Sequence, residues 1–230
     1  TGRSLGTDCH EEIAGPAGAD FWIGLPEEED PKYSPSIPYV RAADEPFGDF
    51  EMALLNDKTS IQWLALLNNG GFNPNSRECR VAEVGGGGGV GNGRGLALAY
   101  APFAHGGEWK GRRFVDGVTL ARMGQVSVST HEDATLLIPT KFALGFMKSI
   151  DNRRRYRGGR DSAVLSSAAF GHVGAGGSIG FADPEAGFSF GYAMNRMGKG
   201  ILLNERGQAL VDAAYQSLGY RTNEPGVWLR

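Results

Sequence analysis

The sequence predicts a mixed α/β fold in which a helical, loop-rich part is followed by an antiparallel hairpin and a closing helix. Three observations support this fold class. Residues 168–192 read as short strands of small, aromatic and β-branched residues, and Asp183-Pro184-Glu185-Ala186-Gly187 is typical of a hairpin turn. Residues 204–218 have an Asn cap followed by apolar residues at helical spacing. Residues 50–68 show the apolar periodicity of one or two helices.

The composition is that of a globular protein and argues against several kinds of partner. Of the 230 residues, 41% are hydrophobic, which is enough for a core. A net charge of -3 offers no overall attraction to nucleic acid or to an anionic membrane. No apolar run approaches the roughly 18 residues of a membrane span. Cys9 and Cys79 lie far apart, as expected for free thiols of a cytoplasmic protein.

The beginning of the chain predicts one short helix and then extended structure. Ser4 or Thr7 can cap a helix that runs to about Ala14, where Gly15-Pro16 is expected to stop it. An apolar extended piece follows over residues 19–26. An acidic run with repeated prolines then predicts a surface loop over residues 27–38.

Helices and loops are predicted to alternate up to the sheet. The helices over 50–68 should meet at an irregular junction around residues 57–59, and a loop should follow over 72–80. Pro102 interrupts a short apolar stretch. We then expect a short helix, an extended segment and a strand, over residues 118–123, 125–138 and 140–147.

A glycine run over residues 85–95 raises the possibility of nucleotide binding. Gly86, Gly88 and Gly91 satisfy the pattern G-x-G-x-x-G. In a run so rich in glycine many registers fit, no βαβ alternation surrounds it, and no P-loop lysine follows. We therefore favour a loop that enters a helix, with nucleotide binding as an alternative.

The first strand of the hairpin region carries the candidate site. Its glycines at positions 171, 174, 176 and 177 remove side chains and so mark a place where another group approaches the backbone. A ligand is the natural candidate for that group. The closing helix, which Gly219 should end, is expected to lie on the sheet.

On this strand, His172-Val173-Gly174-Ala175 resembles the third motif of the serine β-lactamase-like hydrolases, which usually reads Lys-Thr-Gly and becomes His-x-Gly in many esterase-type members. The continuation through Asn195-Arg196-Met197 is similar to the family VIII carboxylesterases, relatives of the class C β-lactamases. The resemblance implies the C-terminal portion of the serine β-lactamase/transpeptidase-like fold. One incomplete domain would then comprise a helical and loop-rich region, 1–135, and the sheet strands with the closing helix, 136–230.

The resemblance also implies hydrolysis of small, uncharged carboxylic esters through an acyl-serine intermediate, with a Lys and a Tyr that handle the proton of the serine. The Ala175 N–H would complete the oxyanion hole. The implied site residues are His172, Gly174 and Ala175 for catalysis and Gly176, Gly177 and Asn195 for substrate binding. A Lys in place of His172 would recognise a carboxylate as a permanent cation, whereas an imidazole is mostly neutral at pH 7. No cofactor or metal is expected.

The catalytic inventory of this sequence is incomplete. No lysine has a serine three positions before it, so the motif S-x-x-K is absent. The match to Tyr-x-Ser, Tyr215-Gln216-Ser217, follows the third motif and is therefore in the wrong order. The opening residues, 1–6, resemble the middle of a longer protein of this family. We therefore expect the nucleophile on a preceding N-terminal part, which this chain would need as a partner unless it self-associates.

Two alternatives remain open at this point. The first is that the chain is a non-catalytic or truncated relative that only binds a ligand or a partner. The basic run over residues 153–160 favours a solvated loop, with a nucleic-acid patch as the alternative.

Overall fold

The computed structural model describes residues 1–155 and 161–230 of the chain. Its helices are α1 (Leu5–Cys9), α2 (Gly15–Ala17), α3 (Asp49–Asn56), α4 (Ile61–Leu66), α5 (Arg77–Val81), α6 (Gly93–Ala104), α7 (Gly117–Gly124) and α8 (Glu205–Ser217). Its strands are β1 (Phe21–Ile23), β2 (Gly89–Gly91), β3 (Glu108–Trp109), β4 (Arg112–Arg113), β5 (Val128–Thr130), β6 (Thr140–Phe142), β7 (Phe170–Val173), β8 (Ile179–Asp183) and β9 (Phe188–Tyr192). Within these described ranges no helix is long and apolar enough to cross a membrane.

The predicted hairpin is confirmed as strands β8 and β9. They pair antiparallel, and β7 pairs antiparallel with the other side of β8, so the strand order is β7-β8-β9. The turn is held by Asp183, whose Oδ1 accepts the N–H groups of Glu185 and Ala186 at 3.1 and 3.0 Å. Gly187 closes the turn with φ of 66°, a conformation that favours glycine.

One face of this sheet is lined by small residues and carries helix α6. Asn92 caps the helix, because its Oδ1 accepts the Gly95 N–H at 2.8 Å. A Cβ built on Gly191 would overlap the carbonyl oxygen of Gly93, and one built on Gly180 would lie 2.7 Å from the Tyr100 ring. The helix therefore lies directly against the sheet backbone.

The opposite face is aromatic and carries the closing helix α8, as predicted. The ring of Tyr215 stacks at 6.1 Å on that of Phe181. The Tyr215 hydroxyl donates to Oδ2 of the buried Asp183 at 2.9 Å, and the Ser166 hydroxyl donates to the same oxygen at 2.5 Å. Burial and the nearby Asp183 carboxylate raise the pKa of Tyr215, so the phenol stays protonated and serves as a donor.

The first part of the chain departs from prediction at four places. A 3-10 helix, Glu27–Lys32, occupies part of the surface loop predicted over residues 27–38. The N-terminal helix, capped by Ser4, continues through a π-helical turn, His10–Ala14, into α2 and ends at Gly18 with φ of 74°. Pro16 does not stop it, because proline is tolerated in the first turn of α2. Pro102 likewise lies inside α6, near its C-terminal end. Helix α5 occupies part of the predicted loop over 72–80. Its Arg80 forms an ion pair with the distant Asp30 at 2.8 Å.

Other predictions for the first part hold. Helices α3 and α4 flank the expected junction, and the extended pieces contain β1, β5 and β6. The glycine run leads into α6 as favoured, and Gly89–Gly91 pairs with β1.

Of the basic run over 153–160, residues 156–160 lie outside the described residues, whereas Arg153 pairs with Asp151 at 2.8 Å. Cys9 and Cys79 are free thiols.

The contact between α6 and the sheet predicts a steep cost for a single methyl group. We expect Gly191→Ala to lower the free energy of unfolding by about 2–3 kcal/mol, because the added Cβ would overlap the backbone of α6. Gly87→Ala is the matched control, since nothing lies within 4 Å of a Cβ at that position. Urea unfolding measures both variants, and equal midpoints would contradict the close approach of α6.

Candidate active site

Strand β7 has an edge that is bridged to Met147 at Gly171 and that, among the described residues, has no bridge at Val173. On one side it pairs with β8. On the other side, Gly171 exchanges two hydrogen bonds with Met147, at 2.6 and 3.1 Å. In an antiparallel strand the N–H groups point alternately to the two sides, so the Val173 N–H points to the same side as that of Gly171. This side of the strand is where the site predicted from the sequence would lie.

Ala175, the predicted oxyanion-hole residue, follows this edge. The residue is exposed, and within residues 1–155 and 161–230 its N–H makes no hydrogen bond. The turn around it, residues 174–177, is held by two hydrogen bonds: the Gly174 N–H donates to the Ser178 carbonyl at 2.8 Å, and the Gly177 N–H donates to the Gly174 carbonyl at 3.0 Å. A fixed, exposed and unpaired N–H is the type of group that stabilises a developing negative charge on oxygen.

His172 lies on the α6 side of the sheet, opposite Gly180 in the strand register. Its side chain is exposed, and its ring lies 6.3 Å from that of Phe142. Its Nδ1 lies 2.7 Å from the carbonyl oxygen of Val173. Because a carbonyl oxygen can only accept, Nδ1 carries a hydrogen, and in the neutral ring Nε2 is left as an acceptor. The imidazole can thus accept a hydrogen bond from a hydroxyl group brought to this edge.

Gly176 and Gly177, predicted to bind substrate, lie in a buried turn. Their φ values are 86° and 111°, in the region that favours glycine. A Cβ on Gly176 would lie 2.8 Å from that of Met197, and one on Gly177 would overlap the Asn204 side chain. The groups that approach these glycines in the structure are therefore the protein's own side chains. A contact of either glycine with substrate stays a prediction.

Asn195 is exposed, and its side chain already has a hydrogen-bond partner. Its amide donates to the Ser34 hydroxyl at 3.1 Å. Nearby, the Ile37 N–H donates to the Asn195 carbonyl at 2.6 Å, and the Met197 N–H donates to the Ile37 carbonyl at 2.9 Å. Residues 33–45, which we call the strap, thus lie along residues 195–197. A role of Asn195 in substrate binding stays a prediction.

An ion pair fastens the far end of the strap. The Lys199 ammonium lies 2.6 Å from Glu45 Oε1, and the Tyr39 hydroxyl donates to Glu45 Oε2 at 2.5 Å. Lys199 and then Tyr39 are the main causes that lower the pKa of Glu45 from its usual 4.5 to about 2. The strap was not part of the predicted site. Its contacts join residues about 160 positions apart in the sequence, such as Ser34 and Asn195, and no local pattern indicates such a contact.

Two clefts lie apart from the strand β7 edge. One, of about 390 Å³, is lined by residues that include Phe103, Arg112 and Met123. The other, of about 280 Å³, lies beside Gln125 and Leu144. Neither includes a predicted site residue. Among the residues that the structure describes, no three His, Cys, Asp or Glu side chains are placed to hold a metal ion.

Comparison with known proteins identifies the family of this chain. The family model described as Beta-lactamase matches residues 1–214, so the chain belongs to the beta-lactamase family. Its curated relative Esterase/beta-lactamase LipL of Mycobacterium tuberculosis (strain ATCC 25618 / H37Rv) is 36% identical over 98 residues, which cover 43% of this chain and 20% of that protein. The predicted resemblance to serine β-lactamase-like hydrolases is thereby confirmed.

Solved structures support the same family and the predicted fold class. A family VIII carboxylesterase is 34% identical, with a TM-score of 0.68 over 94% of this chain and 52% of its own. A penicillin-binding protein homolog from Caulobacter crescentus is 29% identical, with a TM-score of 0.71 over 94% of this chain and 53% of its own. EstA from Arthrobacter nitroguajacolicus Rue61a is 28% identical, with a TM-score of 0.76 over 95% of this chain and 55% of its own. The chain therefore spans about half the length of these structures and a fifth of LipL.

The fastening of the strap predicts a pH-dependent difference in stability. Because the pKa of Glu45 is lowered on folding, its stabilising effect is complete above pH 4.5 and is lost as the pH falls toward 2. Glu45→Gln should therefore lower the urea midpoint at pH 7, and the gap to the unmodified protein should narrow below pH 4.5.

The control for this experiment is Glu28→Gln, at an exposed carboxylate for which the described residues supply no ion pair. This variant should follow the unmodified protein at each pH. A gap for Glu45→Gln that stays constant between pH 5 and the acid limit of folding would show that the ion pair does not fasten the strap.

Proposed function

We propose that this chain forms part of a serine hydrolase of small, uncharged carboxylic esters and supplies one N–H of its oxyanion hole. The observation that carries the proposal is the N–H of the exposed residue Ala175, which has no hydrogen-bond partner among the described residues and follows the strand that carries His172. The membership of the beta-lactamase family and the similarity to a family VIII carboxylesterase support it.

The reaction runs in two steps at this edge. A serine hydroxyl attacks the ester carbonyl, and the negative oxygen of the tetrahedral intermediate accepts a hydrogen bond from the Ala175 N–H. The bond to the alcohol then breaks, and the alcohol leaves with a proton, so that an acyl-serine remains. Water attacks the acyl-serine through the same kind of intermediate and releases the acid. Each such donor in an oxyanion hole contributes about 3–4 kcal/mol to the stability of the transition state.

The nucleophile and its base are assigned to other sequence. In 230 residues no S-x-x-K motif occurs. Ser178, the serine nearest to the third motif, follows the turn, and the resemblance assigns no nucleophile there. The proposal therefore requires a preceding polypeptide that carries a serine, a lysine and a tyrosine, either as the N-terminal part of a longer chain or as a partner of this one.

A second candidate function is binding without catalysis, which the absence of S-x-x-K from this sequence favours. The two are separated with p-nitrophenyl butyrate. The complete protein should release a burst of p-nitrophenol, because acylation precedes slow hydrolysis of the acyl-serine. The 230-residue chain by itself should show no burst above background. A burst from the isolated chain would contradict the assignment of the nucleophile to other sequence, and no burst from the complete protein would favour binding alone.

The histidine at position 172, where related hydrolases carry a lysine, predicts a preference for uncharged substrates. In the complete protein, His172→Lys should raise kcat/KM for an ester with a carboxylate near the scissile bond by about 5–10-fold relative to an uncharged ester, because a permanent cation would face the carboxylate. His172→Gln is the control without a charge and should leave this ratio unchanged. The same ratio in both variants would remove His172 from the discrimination of substrate charge.

A further inference from the structure

Residues 174–177, which we call the third-motif turn, carry the predicted oxyanion donor. One side chain, that of Asn204, connects this turn to the start of helix α8. The Asn204 amide, through Nδ2, donates to the Gly176 carbonyl at 2.6 Å, and the Gly198 N–H donates to the same oxygen at 2.9 Å. The Gly176 carbonyl and the Gly177 N–H belong to one planar peptide group. Asn204 therefore fixes the orientation of the Gly177 N–H as well.

A second hydrogen bond extends this connection to the reacting position. The Gly177 N–H donates to the Gly174 carbonyl at 3.0 Å. The Gly174 carbonyl lies in the same peptide plane as the Ala175 N–H. The position of the Asn204 side chain thus determines the direction of the Ala175 N–H through two hydrogen bonds and two planar peptide groups. The Ala175 N–H itself makes no hydrogen bond within the described residues.

The capping of α8 does not account for the amide donor of Asn204. As the N-cap, Asn204 accepts the Gly207 N–H on Oδ1 at 3.2 Å. An oxygen acceptor is all that this cap requires, and Ser or Asp would cap about equally well. Asparagine adds a donor, and the structure uses that donor on Gly176. The residue is half-buried against Gly177, so its side chain has little room to turn away.

We infer that Asn204 is a positioning residue that aims the Ala175 N–H at the oxyanion. The inference rests on the proposed function, since it assigns a role in that reaction. It differs from a role in folding alone, because loss of the donor should impair the stabilisation of the transition state while substrate binding is kept. A donor displaced from its oxyanion loses most of its effect, since hydrogen bonds weaken steeply with poor alignment.

The test compares Asn204→Ser with Asn92→Ser. Each variant keeps an oxygen that can cap its helix and loses one amide donor. At Asn92, however, that donor serves the Asp20 carboxylate at 3.0 Å and not the third-motif turn. In the complete protein, Asn204→Ser should lower kcat for p-nitrophenyl butyrate by about 10–100-fold with KM little changed. The amide exchange of Gly177, followed by NMR, should quicken at least about tenfold, whereas Asn92→Ser should change neither quantity.

Asn204→Asp provides a second variant if serine proves too short to cap α8. It keeps the cap and replaces the donor by an oxygen that repels the Gly176 carbonyl, so kcat and the Gly177 amide should change in the same direction as with serine. Faster exchange with unchanged kcat would overturn the positioning role, and so would unchanged exchange. An unmodified complete protein without ester hydrolysis would instead overturn the proposed function. The Gly177 exchange would still report separately whether Asn204 holds the turn.

Discussion

The direct contact between helix α6 and the small-residue face of the sheet is the constraint on which the rest of the structure depends. Side chains alternate along a strand, so Gly180 and Gly191 face α6 while Phe181 and its cross-strand partner Phe190 face α8. Without side chains on the first face, the helix lies against the strand backbone. On the second face, stacked rings such as Tyr215 fill the space between helix and sheet. One helix thus packs on the strand backbone and the other on a layer of aromatic rings.

This arrangement explains why the candidate site is open on one side and fixed on the other. His172 points to the α6 side of the sheet, at the strand edge that lies beyond the bridge between Met147 and Gly171. The turn that follows is instead held from the side of α8, where Asn204 starts the helix. The two exposed residues of the site, Ala175 and His172, therefore stand on a backbone that the closing helix supports. Such support matters because an oxyanion donor acts through its preset direction.

The sequence allowed the prediction of features that depend on local chemistry. The hairpin turn at residues 183–187 and the Asn204 cap were predicted because each depends on residues a few positions apart. The predicted end of the first helix was wrong, because Gly15-Pro16 is compatible both with the end of a helix and with the first turn of a helix that continues. Helix α5 was missed because it is only five residues long and its Arg80 is anchored to the distant Asp30.

The glycines of the third-motif strand show where inference from sequence to site reaches its limit. Their pattern correctly predicts that another group comes close to the backbone, yet a missing side chain does not reveal which group arrives. The Asn204 side chain fills the space beside Gly177, and the Met197 side chain fills the space beside Gly176. The predicted donor belongs instead to the exposed residue Ala175, which lies between Gly174 and Gly176. The buried glycines let the turn pack tightly, and the tight packing leaves one amide directed outward. The chemistry of this strand thus depends less on the glycines themselves than on the neighbouring N–H group whose direction they permit.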